Sequence, residues 1–378
     1  MKELTAILSA WAGQAGQAAA LATLVQASGS TYRRPGARML ILPGGQSVGS
    51  ISGGCLERDV IEKAAAVMGQ GQTTLLTYDT TSEEDLVFGA GLGCKGTVHI
   101  LLEPVSPGAP PADLLKFIGQ LFRLRRSGLV ATVFRTLGLV PVEVGQRLMV
   151  SPDGHVSGQI HELAFHAKLL AALREIQTAG RSKWVEFELA SGQVDAFLEV
   201  IQAPVPLVIF GAGYDALPLV RLAREIGFHV TVADVRPAYA TPERFPEADA
   251  VVVVRPDEIA RLGLNERTAA VIMSHNYLTD RALLKVLLDV PLRYLGLMGP
   301  RARARKMVEE LRQEGFPATE ASVLARVHNP VGLDIGAETP EQIALAILAE
   351  IQSHFSGHPG GCLRDKKTSI HAAPHGKH

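Results

Sequence analysis

Cysteine is scarce in this chain: three residues in 378, at positions 55, 94 and 362, with no CxxC pair among them. Three widely spaced thiols cannot close an all-paired disulfide framework, so a cystine-stapled secreted scaffold is excluded and reduced thiols in a cytoplasmic setting are expected. No charge of one sign dominates, since 37 Lys and Arg stand against 38 Asp and Glu for a formal net charge of −1. That balance removes the electrostatic reason to expect nucleic acid or an anionic membrane as partner. Long hydrophobic runs are missing too. Stretches such as AAVIM at 269–273 are far shorter than a bilayer span. The opening, MKELTAILSAWAGQAG, carries an acid at Glu3 and polar interruptions rather than the basic start and small-residue cleavage site of a secretory signal.

What is present is the composition of an ordinary soluble globular protein, 47% hydrophobic and 20% charged. The length exceeds one typical core and implies two domains. Leu4, Ile7, Leu8 and Trp11 share one face of a short opening helix. ALATLVQAS (20–28) and ARMLILP (37–43) read as strands joined by the basic loop TYRRPGAR, and QSVGSIS (46–52) as a hairpin partner after a Gly-Gly turn. A helix over 56–69 and strands at 73–79 and 97–104 follow. SPGAPP (106–111) breaks the pattern ahead of a helix near 112–127. Residues 129–202 are poorly legible, a connecting module of short strands with a helix near 162–176, and IQAPVP (201–206) is the clearest linker.

Beyond that linker the pattern turns regular. PLVIFGAG, HVTVAD, AVVVV, AAVIMS and RYLGLMG are short apolar strands separated by helical stretches, the signature of a parallel sheet buried on both faces. Thr339, Pro340 and Gln342 mark the start of a helix by N-cap, first-turn proline and capping box. The expected fold is therefore α/β: a mixed α+β N-terminal domain over 1–200, with its connecting module at about 129–200, then a Rossmann-like parallel-sheet domain over 205–352. A disordered tail is expected over 356–378.

IFGAGYDA (209–216) is G-x-G-x-x-A between a strand and a helix. In that setting Gly211 allows the tight turn, Gly213 allows close approach of a pyrophosphate, and the helix N-terminus meets the anion. Asp234 ends the next strand, where an acid takes ribose hydroxyls, and Arg236 follows it. Ser274, His275 and Asn276 fall at the carboxyl end of another strand, on the edge that lines the ligand crevice. Arg301, Arg303 and Arg305 form either a phosphate-holding run or a solvated helix face. These features support an NAD(P)-dependent oxidoreductase with His275 near the nucleotide. A Rossmann-like fold without a nucleotide is the bland reading beside it.

Two of the three thiols stand in bare glycine settings, Cys55 in SISGGCLE (50–57) behind Gly53 and Gly54, and Cys94 in GAGLGCKG (89–96). Glycine leaves a neighbouring side chain uncovered, and a helix starting just after Cys55 favours its thiolate. Arg33, Arg34 and Arg38 flank a turn beside Gly29 and Ser30, a cradle for an oxyanion or phosphate. An accessible thiolate with an anion cradle suits a ligand carrying a soft metal or sulfur and a phosphate. Two small packing cysteines are the competing reading.

The blocks GSTYRRPGARMLI (29–41), GSISGGCLE (49–57) and FGAGLGCKG (88–96) carry a resemblance in the first half of the chain. GAGYDALPLV (211–220), MSHNYLTD (273–280), YLGLMGPRAR (294–303) and NPVGLDIGAETPEQIALAILAEI (329–351) extend it through the second. Over residues 1–352 the chain resembles the XdhC/CoxI proteins, accessory factors of xanthine dehydrogenase and related molybdenum hydroxylases. The resemblance implies a two-domain, often dimeric protein that binds molybdenum cofactor (molybdopterin), holds it during sulfuration and passes it to the apo-hydroxylase. It implies a cofactor-binding chaperone more than an enzyme, with a cysteine desulfurase as a further partner. On that analogy Cys55 and Cys94 contact the cofactor's metal or sulfur, and Arg33, Arg34 and Arg38 its phosphate. Two positions depart from the family pattern: Lys95 replaces a glycine after the second thiol, and Tyr214 stands where histidine is common.

Overall fold

The computed structural model describes residues 2–14, 17–29, 31–79, 96–317 and 319–367. They divide into two units, Met1–Ala203 and Pro204–His378. The first unit opens with α1 (Lys2–Ala12), β1 (Ala19–Gly29), β2 (Arg38–Ile41), β3 (Ser47–Gly49), α2 (Glu57–Gln70), β4 (Thr74–Asp79) and β5 (Gly96–Val105). The strands pair antiparallel in the order β3-β2-β1-β5-β4. β1 lacks the alternation of a half-exposed strand because both of its faces are covered. Ala20, Ala22 and Leu24 pack with Val60, Ala64 and Val67 of α2. Ala19 and Leu21 join Ile7 of α1 on the other face. Gly71 closes α2 in the left-handed region, its N–H returning to the carbonyl of Val67.

The same layout then occurs a second time, element for element. It comprises α3 (Pro110–Leu124), β6 (Gly128–Gly138), β7 (Arg147–Val150), β8 (Val156–Gly158), α4 (Leu163–Ala179), β9 (Lys183–Leu189) and β10 (Gly192–Ile201). Its sheet runs β8-β7-β6-β10-β9, the first order repeated. β1 and β6 bury their residues in the same order along the strand. The contacts repeat as well, with Ala131 and Val133 meeting Leu169, Leu173 and Ile176 of α4. Each long strand pairing skips one residue as a bulge, Val25 in β1 and Phe134 in β6. These two residues meet Leu101 and Phe197 in a small core of their own. The poorly legible stretch 129–202 is thus a structural copy of the half before it.

The second unit alternates strand and helix: β11 (Pro206–Phe210), α5 (Ala216–Glu225), β12 (His229–Asp234), β13 (Ala250–Val253), β14 (Ala269–Ile272), α6 (Tyr277–Leu287), β15 (Tyr294–Leu297), α7 (Arg301–Gln313), α8 (Glu320–Arg326), β16 (Val327–His328) and α9 (Pro340–Ser356). All its strand pairs are parallel, in the order β13-β12-β11-β14-β15-β16. This is the doubly wound Rossmann order, with its switch point between β11 and β14. α5 and α9 cover one face through Leu219, Ala223, Ile347 and Ile351. α6 and α7 cover the other through Leu283, Leu287, Met307 and Leu311. The capping box at Thr339 and Gln342 forms as the pattern requires. After α9 the chain makes a short 3-10 turn at Leu363–Asp365, and residues 368–378 lie outside the described part. Among the described residues no helix is long and apolar enough to cross a membrane.

Candidate functional site

Cys55 is a free, exposed thiol in the loop between β3 and α2. Gly53 and Gly54 before it hold φ angles of 108° and 120°, a region that a side chain disfavours. The two glycines serve different ends. A Cβ on Gly54 would meet nothing within 4 Å, so that side of the loop is open. A Cβ on Gly53 would come within 2.6 Å of the Tyr32 ring, so Gly53 lets the aromatic lie against the thiol loop. Tyr32 is itself 72% exposed. Cys94 and Lys95 fall outside the described residues. Among those described, no group of three or more His, Cys, Asp or Glu is placed to hold a metal ion.

The loop is held from within by Glu57, the first residue of α2. Its carboxylate accepts from the backbone N–H groups of Ile51 (3.1 Å), Ser52 (2.8 Å), Gly53 (3.1 Å) and Gly54 (2.9 Å). The hydroxyls of Ser50 (2.8 Å) and Ser52 donate to it as well. Burial by itself would raise the Glu57 carboxyl, but the bonds from Ser52, Ser50 and Gly53 outweigh it and hold the group well below the ordinary carboxylate range. The amides that a glycine loop can offer an anion are therefore taken up by the chain's own carboxylate. What remains outward is the thiol.

The three arginines next to Tyr32 part company. Arg33 pairs with Glu3 of α1. Arg33 and the exposed Arg34 line a hollow of about 300 Å³ together with Glu3, Leu4 and Pro35. Arg38 is only 2% exposed. Its Nη1 donates to Glu199 Oε1 (2.8 Å) and to the Gly36 carbonyl (3.2 Å), and its Nη2 donates to Glu199 Oε2. Burial would lower the guanidinium's pKa, yet Glu199 more than compensates and raises it. Arg38 therefore carries an internal charge balanced by Glu199: both Nη atoms are engaged and Nε is buried without a partner, so the guanidinium is not exposed as the cradle expected from sequence would have it.

In the second unit, Gly211, Gly213 and His275 gather at the switch point of the parallel sheet. Gly211 has φ 132°, and a Cβ there would run into the backbone of Met273 and Ser274, so this glycine lets β11 and β14 come together. His275 follows β14 with φ 60°, a left-handed conformation unusual for a side-chain-bearing residue. Its Nε2 lies 2.6 Å from Asp215 Oδ2, across the switch point. The cap of α6 is Asn276, whose Oδ1 accepts from the Thr279 N–H, so His275 does not have that duty. Asp234 ends β12 as expected, 5% exposed. Its Oδ1 accepts the backbone N–H and Nε–H of Arg236, both 2.9 Å, and its Oδ2 accepts the Ala212 N–H and Arg236 Nη2–H, both 2.7 Å. Burial opposes its ionisation, but the bonds from Arg236 and Ala212 win and lower the pKa. Of the arginine run, Arg303 is turned inward onto Asp280 (2.8 Å), which also accepts from the Ser274 hydroxyl (2.5 Å). Arg301 is exposed at the start of α7.

Comparison with protein families decides the kinship. The model of the XdhC and CoxI family matches residues 12–79 and 121–188, one range in each half of the duplicated unit, and the XdhC Rossmann domain matches 207–351. The chain belongs to the XdhC and CoxI family. It is 32% identical over 335 residues to a probable xanthine dehydrogenase subunit of Bacillus subtilis (strain 168), covering 88% of this chain and 92% of that protein. It is 22% identical over 338 residues to the "Molybdenum cofactor insertion chaperone PaoD" of Escherichia coli (strain K12), covering 89% and 84%. A crystal structure of a xanthine dehydrogenase from Bacillus halodurans superposes with a TM-score of 0.74 at 30% identity, over 98% of both chains.

Within this XdhC-type chain, sequence reading passes over Tyr32, Glu57 and Asp215. Tyr32 lies inside the GSTYRRPG block, but only the fold brings it to Gly53. Glu57 follows two serines and two glycines at close range, a carboxylate-filled amide nest in outline. Asp215 is hidden inside the glycine string itself.

Proposed function

We propose that this protein is an accessory factor that binds molybdenum cofactor, holds it while its metal gains a terminal sulfur, and delivers it to an apo molybdenum hydroxylase of the xanthine dehydrogenase type. The observation that carries this reading is the exposed Cys55 thiol on an open glycine loop, with the Tyr32 ring against that loop and Arg33 and Arg34 next in sequence. A thiol is a soft donor suited to molybdenum or sulfur, and Arg34 supplies exposed positive charge for a phosphate. The names borne by its relatives, a molybdenum cofactor insertion chaperone and a probable xanthine dehydrogenase subunit, point the same way.

On this reading Cys55 contacts the dithiolene-bound metal or its incoming sulfur, and Arg33 and Arg34 steer the cofactor's phosphate. Cys94, outside the described residues, is proposed as a second thiol contact for the cofactor. Bound cofactor would supply the metal that accepts sulfur; the protein's part is to expose the thiol, keep the loop braced through Glu57 and leave the Gly54 side clear. A cysteine desulfurase is the proposed sulfur donor, the cytoplasm the proposed compartment, and a homodimer the proposed working form.

The test is activation of a purified, cofactor-free partner hydroxylase by this protein loaded with molybdenum cofactor. Wild type is expected to restore activity, and Cys55→Ser to restore little while retaining its fold by circular dichroism. Equal activation by both removes Cys55 from the account. Failure of the loaded wild-type protein to activate any such hydroxylase removes the delivery role.

A further inference from the structure

The second unit has the Rossmann strand order, the glycine string and the acid at the end of the next strand, all of which imply a dinucleotide. Its residues do not fit one. In a dinucleotide site the second glycine is bare so that pyrophosphate can approach the backbone at the helix N-terminus. Here that space is filled. A Cβ on Gly213 would lie 2.6 Å from Asp215 Oδ1, so a carboxylate stands where the missing side chain would otherwise admit phosphate. Asp215 is held there by His275, Oδ2 to Nε2 at 2.6 Å. It does not serve α5 as a cap, since its side chain makes no capping hydrogen bond.

The ribose position is closed in a second, separate way. A carboxylate offers about four lone-pair sites, and Asp234 meets four donors, three from Arg236 and one from Ala212. No acceptor is left for a ribose hydroxyl. The Arg236 guanidinium is backed in turn by the Tyr239 ring, 4.0 Å from its centroid. Its Nε–H and Nη2–H are thus already given to Asp234. Bringing pyrophosphate onto Gly213 would set two like charges together, and like charges at such range are strongly unfavourable.

We propose that the Rossmann crevice is self-liganded: Asp215, pinned by His275, occupies the pyrophosphate position, and Arg236 occupies the ribose-binding acid, so the domain excludes dinucleotides. The unit keeps the architecture of a nucleotide-binding domain while its own side chains fill the subsites. This holds whatever the thiol loop of the first unit carries.

The test is isothermal titration of the full-length protein with NAD+, NADP+, FAD and ADP. The variants are Asp215→Ala, which removes a side chain with no capping duty, and Asp215→Ala with Arg236→Ala, which also uncovers Asp234. Wild type is expected to show no saturable binding up to about 1 mM. The double variant is expected to bind at least one of the four with a Kd tenfold or more below that limit, and the single variant to gain in the same direction for ADP. Thermal unfolding by circular dichroism identifies the folded variants. Saturable binding by wild type overturns the proposal. So does failure of every folded variant to bind, since the crevice would then be closed by something other than these side chains.

Discussion

Arg38 of β2 and Glu199 of β10 meet across 161 residues of chain, Nη1 to Oε1 at 2.8 Å, and the duplicated half returns the contact. Arg147, at the Arg38 position of β7, pairs with Glu103, at the Glu199 position of β5. Each arginine also donates to a glycine carbonyl two residues back, Gly36 or Gly145. Two buried ion pairs therefore cross between the halves in opposite directions.

Breaking such a pair leaves an uncompensated buried charge, whereas replacing both partners by apolar residues is often neutral. Arg38→Ala is expected to lower unfolding stability by about 3–5 kcal/mol. Arg38→Met combined with Glu199→Leu is expected to recover most of that loss. Urea denaturation followed by circular dichroism measures both. If Arg38→Ala is as stable as wild type, the ion pair is not a structural joint, and a ligand role for Arg38 returns.

The duplication makes a prediction about glycine. Gly49 (φ 90°) and Gly158 (φ 139°) sit at matching ends of β3 and β8, and a Cβ on either would collide with the carbonyl of Arg38 or Arg147. Alanine at each should cost at least about 2 kcal/mol, through φ strain and the collision together. Thermal melts of the two variants should shift downward by similar amounts. A large loss at one position with none at the other would show that the halves are not built alike.

These pairs explain what sequence can and cannot reveal in this chain. The parallel unit is legible because its strands are continuous apolar runs between helices, whereas its strand order and switch point appear only in the fold. The thiol loop is legible because Gly53 and Gly54 stand beside Cys55. The duplication escapes a direct reading of the letters, although the family model matches once in each half. Between the halves the arginines, the glutamates and a few glycines persist, while AALATLVQASG and GLVATVFRTLG share burial more than letters. Asp234 can be placed at a strand end from sequence, but its saturation depends on how Arg236 folds back, which no spacing reveals.

Glu57 ties the loop to a pH dependence with a definite sign. Its folded pKa lies below the ordinary value of 4.5. Its contribution is therefore fully present above that unfolded value and is lost as pH falls towards the lower folded value. Glu57→Gln removes a charged acceptor from a cluster of donors and should cost about 1–3 kcal/mol at neutral pH. The variant should also show a flatter loss of stability below pH 4.5 than wild type. Hydrogen exchange over residues 50–57 should quicken in the variant. Unchanged exchange would mean that the carboxylate does not brace the loop.

The Tyr32 ring gives the loop an exposed aromatic side. Tyr32→Ala should leave folding intact, because most of the ring faces solvent, yet weaken cofactor retention by about tenfold, roughly 1.4 kcal/mol. Tyr32→Phe should retain it. Equal loss in both would assign the effect to the hydroxyl, and no loss in either would leave the ring outside the site.

The most direct measurement is the molybdenum and molybdopterin content of the full-length protein purified from a host that makes the cofactor, for wild type and for Cys55→Ser. Metal is counted by mass spectrometry and pterin by fluorescence after oxidation. Wild type is predicted to carry both, and Cys55→Ser, folded by circular dichroism, to carry at least about tenfold less. Equal loading of the two proteins, or wild type purified empty from a cofactor-replete host, would contradict a cofactor held through Cys55.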